Sequence, residues 1–124
     1  MNSSNKEIYP LQKEIWLVKH DQLSVEIKKP FRPYLVISNN LQNQFDSQVI
    51  VLPLTTKEIK SSSVGVFIEK SEDNLLEKNC WILTNRIHTI DKKLRLVKKL
   101  GIVNHDMWLS ILNSIWKSLL ESNS

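Results

Sequence analysis

The chain has few of the residues that constrain a small protein covalently or bend it sharply. Its 124 residues include one cysteine, two glycines and four prolines. A lone Cys80 cannot form an internal disulfide, which fits a reducing compartment. Two glycines are too few for a phosphate-binding loop of the Gly-rich type. No apolar run approaches the length of a membrane span. The opening residues Met1 to Glu7 are polar and carry no apolar core, so no signal peptide is expected and a cytoplasmic location is. Neither Cys80 nor any carboxylate stands at metal-ligand spacing from His20 or His105, so no metal site and no cofactor are predicted.

What is present reads as one domain. It is long enough to bury most of its unfolded surface without a staple. Net charge is +4 and the pI is about 9.2, a weak pointer to an anionic partner. Residues 1–12 read as a loose tail and 13–124 as the folded domain. Apolar, β-prone runs predict strands at Glu14–Val18, Tyr34–Ser38, Gln48–Leu54, Val64–Ile68, Cys80–Ile87 and Leu96–Val103. Pro33 falls at a strand start, and Pro53 marks an edge or bulge. His20–Phe31 and Lys57–Ser63 read as loops and Asn39–Asn43 as a turn. Glu69–Asn79 is charged and predicts a helical turn.

The end of the chain predicts a helix capped by Asn104, with Asp106 in its first turn. Its apolar face would carry Trp108, Ile111, Leu112, Ile115, Trp116, Leu119 and Leu120. Ser110, Asn113, Ser114, Lys117 and Ser118 would fill the other face. Several short strands closed by one helix predict a mainly β, α+β fold built as a small, strongly bent barrel.

Phe31-Arg32-Pro33-Tyr34-Leu35-Val36 sets one arginine at the mouth of a strand that otherwise reads as core. The run Val49–Leu54 ends in Thr55-Thr56. Side by side, these strands would bring a fixed cation and a hydroxyl to one spot, a pairing suited to phosphate. Neither residue alone is specific, and an arginine beside a proline at a strand start is more often an ordinary surface residue. RNA can be cut without a metal: the 2′-OH attacks phosphorus and the 5′ oxygen leaves. A group must take the 2′ proton, another must protonate the leaving oxygen, and the phosphorane's charge must be stabilised. Arginine suits the last task because its fork pairs two oxygens and stays charged. It is a poor base for the same reason. His88 has an ordinary pKa suited to proton transfer, although a strand-end histidine more often holds a structural hydrogen bond. Lys28, Lys29, Lys57 and Lys60 flank the spot and would guide a phosphate backbone, or simply be solvated.

Glu14-Ile15-Trp16-Leu17-Val18, Arg32-Pro33-Tyr34-Leu35-Val36-Ile37-Ser38-Asn39, Ile50-Val51-Leu52-Pro53-Leu54-Thr55 and Arg86-Ile87-His88-Thr89-Ile90-Asp91-Lys92 resemble the MazF/PemK toxin family in content, order and spacing. The resemblance runs from about Lys13 to Leu120. It implies an SH3-like, CcdB/PemK-type barrel that forms a homodimer. It implies a metal-independent, sequence-specific endoribonuclease acting on single-stranded mRNA, neutralised by an acidic MazE-like antitoxin. The catalytic pair carried over is Arg32 and Thr55, with Thr56 in that role if the register slips by one. The first loop, including Glu26 with Lys28 and Lys29, would touch RNA or antitoxin.

Departures from the family pattern are visible. Lys13 stands where members carry glycine. Ser24-Val25-Glu26 replaces Gly-x-Glu. His88 replaces an arginine. The PemK branch's Arg-x-Asp pair is Leu83-Thr84-Asn85 here, leaving Asn85 as a candidate catalytic or substrate-binding residue, and its loop histidine is Val25. A degenerate module that binds without cutting is the alternative these changes suggest. A CcdB-like gyrase inhibitor is a weaker one, because the terminal Trp-Gly-Ile of that branch is missing.

Overall fold

The valine-rich run Gln48–Thr55 forms the strand around which the molecule is organised. The computed structural model describes residues 8–20, 30–61 and 63–120. In chain order the elements are β1 (Glu14–Lys19), β2 (Phe31–Val36), α1 (Asn40–Phe45), β3 (Gln48–Thr55), β4 (Gly65–Ile68), β5 (Cys80–Leu83), β6 (His88–Asp91), α2 (Lys92–Arg95), β7 (Leu96–Ile102) and α3 (His105–Leu119). The strands form one antiparallel, barrel-like open sheet of order β4-β5-β3-β2-β1-β7, with β6 also paired to β3.

β3 is central and changes partner along its length. Its first half pairs with β6, from Gln48↔Asp91 to Val51↔His88. Its end pairs with β5, through Leu54↔Ile82 and Thr55↔Trp81. Pro53 sits between the two partnerships. It is therefore neither on an edge strand nor at a bulge: the gap between partners accommodates a residue with no N–H to give.

The period of two along each strand sorts the side chains onto two faces. Ile15, Leu35, Leu52, Leu54 and Ile82 face one way and are closed over by Trp108 and Ile111 of α3. Tyr34, Val36, Val49, Val51 and Ile90 form a second cluster on the other face.

Several boundaries differ from expectation. β2 begins at Phe31 and stops at Val36, because Ser38 turns its hydroxyl to Asn43 and accepts from the Ile50 N–H (3.0 Å). The expected turn at 39–43 is instead α1, capped by Asn39 accepting from the Gln42 N–H (2.9 Å). No helical turn forms in 69–79; the Asn74 side chain accepts from the N–H groups of Ser71 and Leu76 and folds the segment into turns. The expected strand Cys80–Ile87 stops at Leu83, since the Thr84 N–H bonds to the Val64 carbonyl and its hydroxyl is buried against Ser114 (2.6 Å). β6 lies wholly beyond that range, at His88–Asp91, where no strand was expected. Asp91 then caps α2 by accepting from the Leu94 N–H (2.8 Å).

The closing helix and its Asn104 cap are where the sequence put them. Its buried stripe is rotated. Trp108, Ile111 and Ser114 are buried, while Leu112, Trp116, Leu119 and Leu120 are exposed. Ser114 and Ser118 turn inward because Thr84 offers their hydroxyls a partner. Trp116 is accordingly not a core residue.

Lys13 adopts φ 81°, the left-handed region where a side chain costs about 1–2 kcal/mol. Glycine at that position in the resembled family has this physical reason. Here the backbone is held by Lys13 N–H to Val36 (2.9 Å) and Val103 N–H to Lys13 (3.0 Å). The Lys13 ammonium lies 5.9 Å from the Trp108 ring centre. Residues 8–12 are tied to the same edge: Pro10 is buried and the Gln12 N–H donates to Asn40 (2.7 Å).

Candidate active site

The β2–β3 register aligns Tyr34 with Pro53. The pairing ends there, and its register extended by two residues sets Arg32 opposite Thr55, on the face opposite α3. Arg32 is half-buried, and its Nε–H donates to the carbonyl of Leu54 (2.9 Å). That bond fixes the plane of the guanidinium next to Thr55. The two terminal nitrogens have no hydrogen-bond partner among the described residues, so the outer edge of the fork is available to an anion. Arg32 also lies 6.0 Å from the ring centre of Tyr34, a buried aromatic that limits its freedom.

Thr55 ends β3. Its Oγ1 accepts from the Lys57 N–H (3.2 Å) as the chain turns away. That bond occupies a lone pair and leaves the hydroxyl proton free to donate outward. Thr56, one residue past the strand, is exposed and makes no such contact. Lys57 contributes its backbone to the turn, and its side chain is exposed.

His88 reaches the same face from β6. Its ring meets Tyr34 edge-on, with centres 6.0 Å apart. Tyr34 thus separates Arg32 from His88, contacting each. Partial desolvation holds the His88 pKa below its ordinary value near 6.5, and the charges of Arg32, Arg95 and Arg86 push it the same way. The imidazole is therefore neutral at pH 7 and can accept a proton. If it serves as the base, activity rises with pH through the lowered His88 pKa and is flat from about neutrality upward. His88→Ala would then slow the reaction by roughly 10²–10⁴-fold and remove that rise. A pH–rate profile unchanged in the variant would exclude the role.

The thiol of Cys80 does not belong to this chemistry. Burial raises its pKa, with Arg32 only partly offsetting the effect, so it stays protonated. Among the described residues no three His, Cys, Asp or Glu side chains gather as metal ligands, and no helix is long and apolar enough to cross a membrane.

Arg32, Thr55 and His88 are thus brought to one region. Asn85 is not joined to them by any contact; it lies exposed in the turn between β5 and β6. Glu26, Lys28 and Lys29 lie outside the described residues. Three side chains near the site were not singled out from the sequence: Tyr34, Arg86 and Arg95. Strand parity signals Tyr34, two positions from Arg32 on the same face. The two arginines become neighbours of His88 only through the turns on either side of β6.

The comparisons with known proteins bear on this arrangement. Residues 11–119 match the family of PemK-like, MazF-like toxins of type II toxin–antitoxin systems. The chain belongs to this family. Solved structures similar to this toxin-family chain include MazF from Deinococcus radiodurans, 14% identical with a TM-score of 0.72, covering 91% of this chain and 98% of that one. Another is the Mycobacterium tuberculosis toxin MazF-mt6, 17% identical with a TM-score of 0.69, covering 85% and 94%. A third is an endoribonuclease in complex with its cognate antitoxin from a mycobacterial species, 20% identical with a TM-score of 0.68, covering 89% and 94%. At these identities the likeness concerns the fold. A curated protein, the Fe-S cluster assembly protein DRE2 of Arthroderma otae, is 32% identical over 81 residues, 57% of this chain. The chain spans about a quarter (26%) of that relative's length, and the match adds nothing to the site.

Proposed function

We propose that this chain is the toxin of a type II pair and cuts single-stranded RNA at short sequences without a metal ion. The observation that carries the reading is the guanidinium of Arg32, anchored through Nε on Leu54 beside the free hydroxyl of Thr55. In the proposed reaction the terminal nitrogens of Arg32 pair with the non-bridging oxygens of the scissile phosphate, and Thr55 donates to one of them. The 2′ oxygen attacks phosphorus as His88 takes its proton. The bond to the 5′ oxygen breaks, and that oxygen is protonated by the imidazolium or by water. Charge builds on the non-bridging oxygens in the transition state, where Arg32 gains most.

The first loop, through Glu26, Lys28 and Lys29, and the Lys57 turn would line the RNA path. An acidic MazE-like antitoxin would cover the same cationic face. A second copy of the chain is the expected partner in a homodimer in the cytoplasm. The test is incubation of the whole chain with single-stranded RNA in excess EDTA. Cutting at defined positions is expected; cutting that EDTA abolishes would end the metal-free reading.

A further inference from the structure

We propose that Trp81 and Phe67 form a stacking platform for a nucleobase of the RNA held at Arg32 and Thr55. The inference rests on the RNA-cleavage reading and adds a base-binding subsite to it.

Trp81 is the direct cross-strand partner of Thr55, and Phe67 is the direct partner of Trp81. Directly paired residues share a face, with neighbouring strands about 5 Å apart. Thr55, Trp81 and Phe67 therefore form one row across β3, β5 and β4, starting at the hydroxyl proposed to hold the phosphate. The two rings are in contact, with centres 4.8 Å apart and planes tilted by 58°.

The row ends at the β4 edge of the sheet, where α3 borders it. Its neighbours in sequence, Val66 and Ile82, turn the other way into the core. Trp81 is half-buried and Phe67 is 41% exposed, so apolar ring surface remains open to a ligand. Phe67 and Trp81 also line a groove of about 480 Å³. Lys60 and, from α3, Lys117 stand on its walls, and no carboxylate among the described residues lines it. Rings that accept a base face, beside cations that accept a phosphate chain, are the two components of single-strand binding. Their position in register with Thr55 favours RNA over a protein partner.

The test measures binding of a fluorescent, uncleavable 2′-O-methyl RNA oligonucleotide to the whole chain, alongside steady-state cleavage of the corresponding RNA. Trp81→Ala is expected to weaken binding by about 10- to 100-fold. KM should rise correspondingly and kcat should hold. Trp81→Phe should keep most of the affinity. An abasic residue at the stacked position should cost the wild type as much as Trp81→Ala, and cost that variant nothing more.

Unchanged affinity in a folded Trp81→Ala variant would overturn the proposal. If that variant does not fold, Phe67→Ala is read instead; a several-fold loss supports the platform and none overturns it. Loss of affinity together with a fall in molecular mass by light scattering would also overturn it, because the rings would then hold a second copy. Wild-type protein that binds the oligonucleotide but never cuts RNA would reject the cleavage reading and leave the stacking result standing.

Discussion

Replacing Arg32 with alanine is expected to lower the rate of RNA cleavage by about 10²–10³-fold or more. The fold should survive. Arg32 is half-buried, and its loss frees one acceptor, the Leu54 carbonyl, at a strand end that water can reach. The stability cost is about 1 kcal/mol, the scale of one hydrogen bond. The large kinetic effect and small structural effect separate because the guanidinium's terminal nitrogens have no hydrogen-bond partner within the described protein. They are available to groups that bring negative charge, and that charge is greatest in the phosphorane. Arg32→Lys keeps the charge but loses both the Nε anchor and the fork. It should recover only part of the rate. Single-turnover cleavage of a labelled single-stranded RNA, with melting curves on the same samples, reads both effects. Full activity in Arg32→Ala would remove this residue from the reaction.

Replacing Lys92 with alanine is expected to give the largest stability loss away from the apolar core. Lys92 is 4% exposed, and its ammonium donates to the carbonyls of Asn43 (2.9 Å) and Gln44 (3.0 Å). These lie in the last turn of α1, where a helix presents unpaired carbonyls and the negative end of its dipole. A buried cation there answers both. Truncation leaves acceptors that water cannot readily reach, at a cost of about 2–4 kcal/mol. For a chain of this size that is a fall in Tm of roughly 8–16 °C. Cleavage measured well below the new Tm should be nearly unaffected, because α1 and Lys92 carry no group of the candidate site. A Tm within a degree of wild type would show that these bonds contribute little.

The contrast between these two residues marks what could be read from the sequence. Arg32 and Thr55 were legible because each ends a strand of strong two-residue alternation, and two adjacent strands fix which ends meet. The helix cap at Asn104 was legible because it is local. Nothing local in the sequence sets Lys92 apart from the other lysines. Its burial depends on α1, and α1 was itself hidden in a polar stretch that also reads as a turn. Ser114 and Ser118 were assigned to the wet side of α3 on polarity alone. Their inward orientation depends on Thr84, 30 and 34 residues away, and no periodicity reports a partner at that distance. The partner change along β3 likewise made Pro53 look like an edge residue. Contacts between neighbours in sequence or in register were visible; pairings made by the turns were not.

The most direct test of the central claim is the chemistry of the cut ends. Wild-type protein is incubated with a defined single-stranded RNA in EDTA, and the fragments are weighed by mass spectrometry. If the 2′ oxygen attacks a phosphate held by Arg32 and Thr55, the upstream fragment carries a 2′,3′-cyclic phosphate and the downstream fragment a 5′-hydroxyl. A substrate with a single 2′-deoxy sugar at the scissile position is then left whole. Fragments ending in 3′-hydroxyl and 5′-phosphate, or cutting of the deoxy substrate, would mean that water is the nucleophile and would contradict the account.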